Sequence, residues 1–255
     1  MAVNRRSGVI GAAAGYQPGM AATANPTAAT RRREPAALLV LVLLAVAVSA
    51  IRPHDYATWV LEVAPILVAI PLLVVTFARH RLTPIAYRVM AGAALLMSVG
   101  AHYTYAEVPF GDWMRDWFGF ARNHYDRIGH VAQGLVAAVI TRELLVRRTP
   151  LRPGGWLAVV VTAMCLGISA TFELVEVVAG LIGGGVGDAY LGTQGDPVDA
   201  QWDMAMALLG ALLAQLLLGR AHNRQLGWTG AAAPAHPAPA TPAPPPLSRA
   251  RRPAA

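Results

Sequence analysis

The sequence predicts an all-α fold, a polytopic transmembrane helical bundle of about six spans, and three observations carry that prediction. Of 255 residues, 55% are hydrophobic and only 14% charged, against about 25% charged in ordinary soluble domains. Mean hydropathy is +0.45. The apolar residues gather into long uncharged runs, each near the ~20 residues that a helix needs to cross hydrocarbon. The net charge of +7 is carried by arginine alone, since the chain has no lysine. A basic balance can mark nucleic-acid binding. Here the arginines fall in alternate loops, as cytoplasmic loops of a membrane protein do, so a lipid bilayer and no nucleic acid is the expected partner.

Taken in order, residues 1–34 hold Ala, Gly, Thr and Arg with no acid before Glu34. No apolar run of signal-peptide length precedes Arg31–Arg33, and the expectation is a disordered cytoplasmic tail. The domain expected to span the membrane is 35–222. Its apolar spans are 36–51, 59–78, 84–102, 127–146, 156–180 and 203–219. Pro65 and Pro71 fall inside the second and are expected to kink it. The third closes on His102. The loop that follows, 103–122, carries Tyr103, Tyr105, Trp113, Trp117 and Phe118, an interfacial aromatic belt with room for a short amphipathic helix. The fifth span holds the single cysteine, Cys165, so no intrachain disulfide forms and a packing role is expected. Between the fifth and sixth spans a glycine-rich loop is expected to bring Asp188 and Asp196 toward the outer ends. Residues 223–255 run into a Pro/Ala tract that cannot bury a core, a second disordered cytoplasmic tail.

With the N-terminus inside, every arginine but Arg52, Arg115, Arg122 and Arg127 falls on the cytoplasmic side. The bias holds through each loop, so N-in/C-in is the expected orientation. The acids do the reverse: only Glu34 and Glu143 lie inside. Acids do not orient membrane proteins, so their gathering on the outer side needs its own cause.

Three helix ends supply candidates for that cause. In "DPVDAQWDM", Asp196 before Pro197 reads as an N-cap with proline at the first helical position. Asp199 then faces the positive end of the helix dipole. Asp203, about two turns in, has no such excuse and is expected to face the bundle interior. In "RNHYDRIGHVAQG", Asn123 reads as a cap, while Asp126, His130 and Gln133 form one polar stripe entering the fourth span, with His124 at its mouth. In "SATFELVEVV", Glu173 and Glu176 share a face within the fifth span. They are costly there unless paired, protonated or metal-bound, and Arg122, Arg127 or His130 are the candidate partners.

"HYTYAEVPFG", "NHYDRIGHVAQG", "FELVE" and "LGTQGDPVDAQWDM" together resemble the YjdF family of bacterial inner-membrane proteins over roughly residues 36–220. Val177 and Val198 stand where the family pattern has tryptophan. A weaker similarity, of arrangement only, is to VanZ-like proteins associated with glycopeptide resistance, in which Asp126, His130, Glu173 and Asp203 would occupy the matching places. Both resemblances imply a multi-pass protein of the bacterial inner membrane; neither supplies a reaction.

Three functions follow from the residues. The first is a pocket at the outer leaflet, in which Asp126, His130, Glu173 and Asp203 act as catalytic groups. There His102, His124, His130, Glu173, Glu176, Asp199 and Asp203 are the candidate ligands of a divalent metal, mixed N/O donors suiting Zn²⁺, Mn²⁺ or Fe²⁺. The substrate would be a lipid-linked or envelope small molecule, attacked by metal-activated water or through an Asp126–His130 base. The second is a structural or accessory membrane protein whose polar groups fix helix register. The third is a proton-coupled transporter, against which stands the expectation that the inner halves of the spans lack polar groups to continue a path.

Overall fold

The computed structural model describes residues 28–183 and 192–228, and every regular element among them is helical. In chain order these are α1 (Ala28–Ser49), α2 (Tyr56–Thr76), α3 (Pro84–Tyr103), a 3₁₀ turn (Tyr105–Glu107), α4 (Pro109–Phe118), α5 (Tyr125–Arg148), α6 (Gly155–Gly183) and α7 (Asp199–Leu213). A π-helical turn (Ala214–Leu218) joins α7 to α8 (Gly219–Gln225). Five stretches are long and apolar enough to cross a membrane: α2, α3, α5, residues 155–182 of α6, and the continuous run from Asp199 to Gln225.

Local chemistry starts α2, α3 and α4. The Asp55 carboxylate accepts from Thr58 N–H at 2.7 Å and caps α2. Thr83 caps α3, with Pro84 at its first position and the hydroxyl accepting from Ala86 N–H at 3.3 Å. The short helix expected in the loop is α4; Pro109 opens it, and Gly119 ends it with a φ of +68°, a value that glycine adopts without strain. Trp113 and Trp117 stack on its exposed side with centroids 6.5 Å apart. α2 runs unbroken through Pro65 and Pro71.

α5 is the centre of the bundle. It packs against α7, α6 and α3, and α3 carries α1 and α2 on its other side. The faces turned outward are apolar: Leu44, Val75, Leu181 and Leu216 are all exposed, as lipid-facing surface should be. The interfaces are made of small residues, as in membrane bundles generally. A Cβ on Gly134 would lie 1.9 Å from the Ala207 carbonyl oxygen, and one on Gly210 would lie 2.0 Å from that of Val131. α5 and α7 therefore touch backbone to backbone. Cys165 is buried among Ala138, Leu157 and Val161, the packing role its position suggested.

Some boundaries differ from those expected. α1 begins at Ala28, within the stretch read as tail, and helix continues past 219 to Gln225. α7 starts at Asp199, not Pro197; Asp196 instead accepts from Val198 N–H at 3.1 Å, a turn just ahead of the helix. α5 has His124 at its N-cap without a side-chain cap bond, while Asn123 accepts from Tyr125 N–H at 3.0 Å. Asp188 and most of the glycine-rich loop, together with 1–27 and 229–255, lie outside the described residues.

Candidate functional site

The close approach of α5 and α7 sets the site. Gly134 and Gly210 let the two backbones meet, and one to two turns away Asp203 and His130 face each other. His130 Nε2 lies 3.6 Å from Asp126 Oδ1 and 4.0 Å from Asp203 Oδ1, while Nδ1 lies 3.7 Å from Glu173 Oε1 on α6. Nδ1 is also 3.2 Å from Gln133 Oε1. An amide oxygen only accepts, so Nδ1 is assigned as the donor, and Nε2 faces two carboxylates. Lone pairs facing one another repel unless a proton or cation lies between them.

The burial sharpens this. His130 is 4% exposed, Asp203 2% and Glu173 8%, yet Asp203 Oδ1 and Glu173 Oε1 have no hydrogen-bond partner. Buried carboxylate oxygens are rarely left so. The expected arginine partners are engaged elsewhere. Arg122 hydrogen-bonds Asp199 and donates to Gly192 O at 3.0 Å, and Arg127 pairs with Asp196 at 2.8 Å while lying over the Trp202 ring. Among the described residues, Asp126, His130 and Asp203 each offer one ligand atom within 4.8 Å of the others. Ligands at about 2.0–2.2 Å from a tetrahedral zinc-like ion lie ~3.3–3.6 Å apart, so the widest gap among the three would have to close by roughly an ångström for them to share an ion.

The other candidates sit differently. Asp199 belongs to the arginine network. Glu176, half-buried, borders the cavity beside the cluster. His124 lies on the rim, edge-on to Phe120 at 4.6 Å. Burial first, then the charges of Arg127 and Arg122, holds its pKa below the usual histidine value. His102 is held toward α1, its Nδ1 3.1 Å from Ser49 O.

Three features escaped sequence reasoning. Glu62 on α2 is 5% exposed, borders the same cavity and leaves Oε2 without a partner; its signal was plain, being the lone acid inside the second span. Asn123 and Gln194 clasp each other: Asn123 N–H donates to Gln194 Oε1 at 3.0 Å and Gln194 Nε2 to Asn123 O at 2.9 Å. Gln194 takes a φ of +48° to do so.

The third is a buried polar knot at the far end of α5, where the spans were expected to lack polar groups. Glu143, fully buried, accepts from Thr83 N–H at 2.9 Å, the Thr83 hydroxyl at 2.7 Å and Arg147 at 2.7 Å, and meets His222 Nε2 at 3.1 Å. Arg142 hydrogen-bonds Asn223. The expectation failed because helix continues past 219, so that His222 and Asn223 pack back against α5 instead of ending in a loop.

Apolar, close-packed helices of membrane-crossing length, with buried ionisable groups facing inward, define a multi-pass membrane protein. The chain belongs to the family described as "Predicted membrane protein (DUF2238)", which matches residues 35–224. It is 45% identical over 188 residues to the inner membrane protein YjdF of Escherichia coli (strain K12), covering 74% of this chain and 88% of that one. The resemblance and the membrane location read from the motifs stand on these matches. No solved structure matches the chain.

Proposed function

We propose that the chain is a metal-dependent membrane enzyme. In this reading Asp126, His130 and Asp203 hold a divalent cation near the outer leaflet, with Glu173 beside them. A cation held there would supply a water of lowered pKa for hydrolysis of a lipid-linked or envelope substrate, with a neighbouring carboxylate placed to take its proton. One observation carries the reading: two buried carboxylate oxygens, Asp203 Oδ1 and Glu173 Oε1, without hydrogen-bond partners on either side of the His130 imidazole. Such groups are stabilised by an ion and costly without one.

The same reading places six spans with both termini cytoplasmic. The arginine bias supports the orientation, and α1, 22 residues of helix or ~33 Å, supplies the sixth span.

An accessory role is the second reading. The Arg122–Asp199, Arg127–Asp196 and Asn123–Gln194 contacts favour it, because they fix helix ends without needing a ligand. Metal analysis of the purified protein separates the two. The enzyme reading expects about one divalent ion per chain, lost in His130→Ala while the protein stays folded. Metal-free wild type that cannot be reloaded with Zn²⁺ or Mn²⁺ would leave the accessory role.

A further inference from the structure

Beside the cluster lies a cavity of about 770 Å³, walled by α1, α2, α3, α5 and α6. Along α2 its wall runs from Glu62 to Phe77, about 22 Å of helix, which exceeds the ~15 Å that one leaflet contributes to the hydrocarbon. Over that depth the lining is apolar, with Leu38, Ile66, Ile70, Leu73, Met97 and Ile140 among the residues. Polar side chains concentrate at one end, where Glu62, Asp126, His130, Gln133 and Glu176 border it. The shape is that of an amphiphile: one long chain, one head.

The charge at the head end selects the kind of amphiphile. Arg122 and Arg127 are already matched by Asp199 and Asp196. A cation shared by Asp126, His130 and Asp203 would still leave Glu62 on α2 and Glu176 on α6, which border the same cavity, without a cationic partner among the described residues. Glu62 is buried, and its Oε2 has no hydrogen-bond donor. An anionic head alone would be repelled there; a protonated amine would be held.

We propose that this cavity binds a lipid whose head carries a protonated amine, the ammonium held at the end of the cavity that Glu62 and Glu176 border and an acyl chain lying along the α2 wall. The inference deepens the proposed function by naming its substrate class, and it rests on the same pocket but not on the metal.

The test is native mass spectrometry of the detergent-purified full-length protein with equimolar dioleoyl phosphatidylethanolamine and dioleoyl phosphatidylglycerol, identical in chains and different in head. Wild type should retain the amine lipid about tenfold over the anionic one, as a charge-assisted contact implies. Glu62→Gln and Glu176→Gln should each bring the ratio toward parity. Ala69→Trp, which fills the groove midway along α2, should lower retention of both lipids. Parity in wild type, a preference for the anionic lipid, or a preference that survives both glutamine variants would overturn the proposal. Metal content is read on the same samples. An amine preference in metal-free protein removes only the enzyme reading, and bound metal without the preference removes only this one.

Discussion

Glu143, near the end of α5, is surrounded by donors from three helices: Thr83 on the α3 side, Arg147 on α5 and His222 on α8. His130, near the start of the same helix, is surrounded by acceptors: Asp126, Glu173 and Asp203, all beyond hydrogen-bond distance. Both sites are buried and both join several helices, but one is satisfied and the other is not. A satisfied buried ion is a structural tie, and removing one member leaves the others unpaired. An unsatisfied one is held in place by the fold at a cost, which is how binding sites differ from knots.

Substitutions at the two ends should therefore have opposite signs. Glu143→Ala strips the counter-charge from Arg147 and the buried partner from Thr83 and His222, and should destabilise the protein by about 3–5 kcal/mol, read as a large fall in melting temperature or loss of monodisperse protein in detergent. Gly134→Ala acts between the ends. Its new methyl must push Ala207 O away, an overpacking cost of about 1–3 kcal/mol, and it should weaken metal binding although no ligand is altered, because Asp203 rides on the displaced helix. Gln133→Leu should leave stability within about 1 kcal/mol of wild type, since the His130 contact it removes is a single neutral hydrogen bond; metal affinity should fall roughly 10–100-fold as the imidazole loses its orienting partner. The smallest effect belongs to His124. Its folded pKa lies below the unfolded value of ~6.5, so its contribution is absent above that pH and becomes destabilising as pH falls below it, when only the unfolded chain takes up the proton. His124→Gln should flatten the acid side of the stability profile and leave the neutral side unchanged.

Much of this was legible in the residues. Hydropathy located the helices because lipid forces every span to be long and apolar, and an acid such as Asp203 among Met, Ala and Leu has to face inward. The stripe of Asp126, His130 and Gln133 follows from helical spacing alone. What sequence could not give were the partners. Arg122 and Arg127 were equally placed to neutralise Glu173, and only the packing of α7 on α5 assigns them to Asp199 and Asp196. His222 falls just past the last apolar span and Asn223 at the start of the expected tail, because the hydropathy signal ends at 219, while the helix does not. Glu62 is the lone acid of its span, and only the packing of α2 brings it to the cavity that Asp126 and His130 border.

On this proposal the two ends of α5 differ in that the His130 end needs a bound cation and the Glu143 end does not. Melting of the purified protein with and without added Zn²⁺ or Mn²⁺, for wild type and Asp203→Asn, tests it most directly. The account predicts that saturating metal raises the wild-type midpoint by mass action. It also predicts that Asp203→Asn abolishes this rise and melts no lower than metal-free wild type, since an uncompensated buried carboxylate is gone. A wild-type midpoint indifferent to metal, together with an Asp203→Asn protein that melts well below it, would contradict the account and make the two ends of α5 alike.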